Sequence, residues 1–246
     1  MGRRSSVYTE QVPVLPAAAG GLAAFRRWAF SAEFPDHGRI DYLAGSVETE
    51  LSPEDLHTHG PVKAAIAAVL HALIVERDLG QVFIDRARVS SAAANLSVEP
   101  DVLAVLWQSL ESGRVRYVPR ARGGPVRLAR SAEIEGGPDL VVEILSDSSV
   151  RKDTELLPRL YALAGVRELW LVDARGEQPD LAMYTLESGA YREVAPDARG
   201  HLLSPLLGHT FRLLRQPARF STWHYQLEHD AVPDAGGSNS PSPKPR

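Results

Sequence analysis

Cysteine is absent from this 246-residue chain. That excludes a disulfide framework and thiolate chemistry, and leaves histidine and carboxylates as the side chains for any metal site. No apolar run approaches the ~18 residues a membrane-spanning helix needs. A signal-peptide core is missing too, because the Ala-Gly stretch that follows Arg3 and Arg4 is interrupted by Pro13 and Pro16. Charge of one sign is scarce: the formal net charge is -4, too small for the whole chain to bind nucleic acid by its field alone, though a local basic patch is compatible with it. Apart from two Pro-Asp strand openings there is no internal repeat. These absences lead us to expect a soluble, cytoplasmic chain.

What is present is an ordinary globular composition, 44% hydrophobic and 24% charged, able to build a core. Residues 1–24 read as a flexible N-terminal arm, 25–232 as one domain, and the Pro-, Gly- and Ser-rich 233–246 as a disordered tail. RIDYLAGSVETEL (39–51) alternates on both sides of Gly45, a hairpin signal. SPED (52–55) reads as a capping box. Apolar residues recur at helical spacing from Val62 to Ile74, predicting a helix over 59–79 that stops at Gly80. Strands are expected at 81–89, 101–107, 139–145 and 167–174, with a hairpin at 181–194 turning at Ser188-Gly189. A helix over 151–165 would take Asp153 as its N-cap and Gly165 as its stop, with a kink or late start at Pro158. The order predicts an α+β or mixed α/β fold, one central sheet flanked by helices.

Residues two apart share a strand face. In GGPDLVVEILSDSSVRKD (136–153), Asp139, Val141, Glu143 and Leu145 therefore share one face of a strand that is apolar on both sides, as a covered central strand should be. A carboxylate buried there needs a cation, because an unpaired charge costs several kcal/mol or is kept protonated. The cation is either a buried arginine or a divalent ion. Asp139 lies roughly 13 Å from Glu143 along the strand at ~3.3 Å per residue, too far to share an ion, and reads as structural. Asp101, which opens the other Pro-Asp strand, can lie next to Glu143, and two adjacent carboxylates call for a cation between them.

The run EPDVLAV (99–105), then GPDLVVEILSDSSVRKD (137–153), then YALAGVRELWLVDARGE (161–177), resembles the Uma-type family of restriction-endonuclease relatives, a branch of the PD-(D/E)XK nuclease superfamily. The resemblance covers most of residues 38–215. It implies a restriction-endonuclease-like mixed sheet flanked by helices. Asp101 matches the metal-binding Asp and Glu143 the acid of the Glu-X-Lys motif, with Mg²⁺ or Mn²⁺ as the ion. Glu50 is a third ligand candidate, and His59 a pocket residue. The motif lysine is replaced by Leu145. Relatives with that change carry a lysine in the following helix, where this chain has Leu157, and Lys152 is the nearest candidate.

Arg114, Arg116, Arg120, Arg122, Arg127 and Arg130 crowd one segment. They are either phosphate contacts or a solvated face paired with Glu111, Glu133 and Glu135. The expected function is metal-dependent hydrolysis of DNA phosphodiesters, with nucleic acid as partner, no membrane, and a homodimer allowed for. The alternative is a nuclease-fold protein that binds nucleic acid or a protein partner without cutting.

Overall fold

The computed structural model describes residues 20–35, 38–52, 55–119 and 131–233. The chain enters through α1 (Gly21–Ala29), so the domain starts earlier than residue 25. The reason is packing: Phe25, with Trp28 beside it, lies against Ile40 and Tyr42 of β1 (Arg39–Leu43). The rest of the expected arm, the tail, and Pro53 and Glu54 of the capping box lie outside the described residues. Asp55 does act at this helix entry, accepting hydrogen bonds from the amides of His57 and Thr58 at 2.8 Å each.

The first hairpin pairs β1 with β2 (Ser46–Glu50), turning at Ala44 and Gly45, both at positive φ. α2 (Gly60–Leu70) continues into a π-helical turn at His71–Val75 and stops short of residue 79. Asp78 takes a left-handed φ of 53°, and Gly80 opens β3 (Gly80–Ile84) instead of ending the helix. Its glycine is required there, since a β-carbon would meet Val105 O at 2.3 Å. The expected strand 81–89 is broken by positive φ at Asp85 and Arg86. Its remainder starts β4 (Val89–Ser91), which is followed by β5 (Leu96–Val98), β6 (Val102–Leu106), α3 (Trp107–Glu111), β7 (Arg116–Pro119), β8 (Ser131–Glu135) and β9 (Leu140–Ile144).

The second main helix does not start at an Asp153 cap. Asp153 lies inside a π-helical turn, Lys152–Leu156, that feeds α4 (Leu157–Ala164) with Pro158 in its first turn. Gly165 ends it in the left-handed conformation. Then follow β10 (Glu168–Asp173), the β11 (Asp180–Glu187) and β12 (Ala190–Glu193) hairpin, and a meander of β13 (Leu202–Ser204), β14 (His209–Pro217) and β15 (Trp223–Ala231).

The fold is mixed α/β. Instead of one central sheet, the described strands form three: β12-β11-β10-β9-β6-β3, β2-β1-β5-β4-β8-β7, and β13-β14-β15. In the first, β9 and β10 run parallel and β9 and β6 antiparallel. Leu140, Val142 and Ile144 of β9 pack towards Val62, Ile66 and Leu70 of α2 and Phe211 of β14. Val141 and Leu145 pack towards Leu96, Leu157 and Tyr161. Each such fully buried side chain contributes roughly 1.5–3 kcal/mol. Alternation puts Glu143 on the second face, between β1 and α4.

Candidate functional site

The antiparallel register pairs Val102 with Val142. One step further, Asp101 stands opposite Glu143. The two acids marked by the sequence are cross-strand neighbours, and both are buried, at 3% and 0% exposure. The Asp101 Oδ2 accepts a hydrogen bond from the Ile144 amide at 2.8 Å, which locks the carboxylate to β9.

Arg39 and Asp41 occupy alternate positions of β1; Arg39 reaches the pair, and Asp41 pairs with Arg39. Arg39 Nη2 donates to Glu143 Oε2 at 3.1 Å, its Nη1 lies 3.6 Å from Asp101 Oδ1, and its Nε lies 3.4 Å from Asp41 Oδ2. Tyr161 donates its hydroxyl to Glu143 Oε1. Glu143 thus has a half-buried arginine as a neighbour. Asp101 has two further neighbours from α2 and its entry: His59 Nε2 at 3.4 Å and Lys63 Nζ at 3.5 Å, the latter also 2.5 Å from Asp85.

Arg39, Asp41, Lys63 and Tyr161 were not marked by sequence reading. Lys63 had a signal: it is the one charged residue in α2 and sits between Val62 and Ile66 in the buried stripe. Arg39 and Asp41 interrupt an otherwise buried strand with charge of both signs.

Lys152 goes elsewhere. Its Nζ lies 3.6 Å from Asp41, 3.8 Å from Glu50 and 3.9 Å from Asp153. Glu50 accepts hydrogen bonds from the hydroxyls of Ser146 and Ser148. It belongs to the serine loop after β9 and to Lys152 rather than to the Asp101–Glu143 pair.

The electrostatics separate the two acids. Burial pushes the Glu143 carboxyl up to about 7, and the charges of Asp101 and Asp153 add to it, while Arg39 and Tyr161 pull the other way. Burial would raise Asp101 too, but the hydrogen bond from His59 and the charges of Arg39, His59 and Lys63 outweigh it and hold Asp101 well below the usual carboxylate range. Asp153 is pushed up to about 6, chiefly by burial. Its Oδ1 is buried and accepts no hydrogen bond. Burial raises Glu50 as well, but Ser148 and Lys152 leave it below its ordinary value. Arg39 stays protonated: burial opposes its charge, yet Glu143, Asp41 and Asp101 together raise its pKa well above the ordinary value.

A cleft of about 780 Å³ opens above this cluster, lined among others by Arg39, Glu50, His59, Asp101, Ser148 and Arg175. A side pocket of about 150 Å³ runs between Asp41, Glu50 and Lys152. Among the described residues there is no group of three or more His, Asp or Glu side chains arranged to hold a metal. The donor chemistry still fits a hard divalent ion in one respect. The carboxyls Asp41, Glu50, Asp101, Glu143 and Asp153 gather around the cations Arg39, Lys63 and Lys152, with His59 also against Asp101. Burial is the main cause that raises Glu143 and Asp153, and the charges of neighbouring acids add to it.

Of the arginine-rich segment, Arg114 and Arg116 do not line the cleft. Arg114 turns inward at the far end of β9. It donates to Asp139 at 2.6 Å, to Gly137 O at 2.6 Å and to Ser109 Oγ at 2.7 Å. This pairing also gives Asp139 its structural role. Arg116 pairs with Glu135 at 2.8 Å, as a solvated hairpin face would. Arg120, Arg122, Arg127 and Arg130 lie outside the described residues.

No curated protein matches the chain. Among solved structures it is similar to a protein from Anabaena variabilis described as "a putative nuclease belonging to DUF820". The TM-score is 0.50 at 17% identity, over 68% of this chain and 83% of that one, a likeness of fold. The profile of the Uma2 family, described as "Putative restriction endonuclease", matches residues 22–214. That span holds the cross-strand pair Asp101 and Glu143 together with Arg39, Lys63 and Tyr161, and the chain belongs to the Uma2 nuclease family.

Proposed function

We propose that the cleft hydrolyses phosphodiester bonds of DNA with Mg²⁺ or Mn²⁺ held by Asp101 and Glu143. The observation that carries this is the cross-strand acid pair, of which Asp101 lines the cleft and Glu143 lies buried beside it. Oxygen donors of this kind suit a hard divalent ion. Such an ion, when bound, polarises a phosphoryl oxygen and lowers the pKa of a water.

The chain's own residues would do the rest. Asp101 stays ionised throughout the neutral range and is fixed by the Ile144 amide. Tyr161 holds one oxygen of Glu143 and Arg39 the other, so an ion would share or take the place of Arg39 at Oε2. Lys63 stands in for the motif lysine that Leu145 replaces, its ammonium 3.5 Å from Asp101 and able to stabilise charge that develops on the phosphate. Lys152 orients Glu50 and the serine loop. Arg39 and Arg175 on the cleft wall attract the phosphate backbone.

A second reading is a binding protein that no longer cuts. Arg39 favours it, because one guanidinium already counters both acids. Cleavage of supercoiled plasmid separates the two. The nuclease reading expects nicking by wild type with Mg²⁺ or Mn²⁺, loss of nicking in Asp101→Ala and Glu143→Gln, and a fall of about 100-fold in Lys63→Met. Plasmid bound but never nicked by wild type selects the binding reading.

A further inference from the structure

A second surface is tied close to the cleft. β14 and β15 pair through nine positions, from His209 with Ala231 to Pro217 with Trp223. Only the lower part of this ribbon has a core beneath it: Phe211, Leu213 and Leu227 are buried, and Tyr225 packs on them. Above that level the ribbon is tied down by Arg215, which donates to Ala174 O at 3.3 Å. The next residue, Arg175, lines the cleft. The ribbon is thus tied one residue away from a cleft-lining side chain, although none of its own residues lines the cleft.

The tip's composition is unusual for this chain. From His201 to Leu227 there is no Asp or Glu, in a protein with 31 of them, whereas Arg212, Arg215 and Arg219 fall in that run. Phe220 is 95% exposed and held at φ 56° with ψ 36°. A bulky residue in the left-handed region is strained, and its ring in water loses the burial an aromatic normally gains. Trp223 is 37% exposed and lies under the Arg215 guanidinium, 4.3 Å from the ring centre.

We infer that this arm enters the major groove of double-stranded DNA next to the cleft, with Phe220 against the base edges and Arg219 and Arg215 on the flanking phosphates. The inference rests on the nuclease reading for DNA as its partner and adds the arm that would hold the duplex and the groove it would enter. A two-stranded ribbon fits the ~12 Å major groove of B-DNA. The major groove of an RNA helix is deep and narrow and closed to side chains. Positive charge without acids matches a phosphate-lined groove, and a solvent-facing ring on a strained backbone gains a partner there.

The test is fluorescence anisotropy of the full chain with a labelled DNA duplex, and with an RNA duplex of the same sequence, in EDTA so that nothing is cut. Wild type should prefer the DNA duplex. Phe220→Ser with Arg219→Gln should weaken DNA binding by about tenfold or more and flatten the salt dependence by about one unit of slope, with an unchanged melting temperature. Unchanged affinity in the double variant overturns the proposal. So does arm-dependent binding to RNA as tight as to DNA, or wild type that binds neither duplex. A double variant that loses only self-association in sedimentation assigns the tip to a second copy of the chain and overturns it as well. The cleft reading is judged separately: Asp101→Ala should keep arm-dependent binding while losing cleavage, and failure of either result leaves the other standing.

Discussion

Glu143 is fully buried, accepts hydrogen bonds from Arg39 and Tyr161, and still has a pKa raised to about 7. The consequence for stability has a definite sign. The unfolded carboxyl ionises near 4.5 and the folded one near 7. Between those values the native state binds more protons, so the wild type should lose stability as pH rises from about 5 to 7. Glu143→Gln removes that component. In metal-free protein the variant should gain on wild type by on the order of 3 kcal/mol across this window, read from urea denaturation at a series of pH values. Equal slopes for both proteins would contradict the assignment. Arg39→Ala should act oppositely. It strips the cation from three buried acids and should cost ~3–5 kcal/mol in EDTA, with partial recovery in Mg²⁺; full stability without metal would show that the acids are neutral already. Asp101 and Glu143 were legible because each departs from its surroundings, an acid after proline at a strand start and an acid inside an apolar strand. Arg39 and Asp41 were not, since their meeting with Glu143 depends on which strand folds over which.

The elements carry the site through one regular sheet register and one departure from regular geometry. The antiparallel β6–β9 register sets Asp101 opposite Glu143, and the π-helical turn Lys152–Leu156 turns Asp153 into the interior while Lys152 reaches Glu50. Both hairpins, the main helices and the Gly165 stop followed from periodicity and turn residues. The π turn did not, because local composition does not distinguish it from an α-helical first turn. β9 is positioned in turn by close packing at its entry. A β-carbon on Gly137 would meet Ala164 O at 2.3 Å and Gly165 C at 2.7 Å. Gly137→Ala should therefore destabilise by about 1–3 kcal/mol in urea denaturation, and a neutral effect would mean that α4 does not press on that entry. On α2, Lys63→Met should retain the fold, since the apolar stem stays among Val62 and Ile66, and should lose activity. Lys152→Met should reduce activity less, because its ammonium faces Glu50 and Asp41. The reverse order would move the lysine role to Lys152.

Across the whole molecule, the cleft forms where the β1–β2 hairpin of one sheet closes over the Asp101 end of β6 in another, and Arg215 ties the β14–β15 ribbon to Ala174, the residue before the cleft-lining Arg175. That arrangement of three sheets was not legible from the order of elements: β4, β5 and β13 are three residues each, too short for alternation to declare, and sheet membership is fixed by long-range pairing. The mixed α/β class was legible because strands and helices interleave along the whole chain. What the assembly produces is a buried acid pair of unequal ionisation, Asp101 held charged and Glu143 pushed up by burial, with Arg39 against both. The most direct test is a set of thermal melts of wild type and Glu143→Gln at pH 8, in EDTA and in Mg²⁺. Wild type should gain stability with Mg²⁺, by about 2.7 kcal/mol at a hundredfold excess over Kd, and Glu143→Gln should melt no lower than wild type in EDTA and show no gain with Mg²⁺. A variant that melts far below wild type in EDTA, with no response to Mg²⁺ in either protein, would contradict the metal site and leave Glu143 as the structural partner of Arg39.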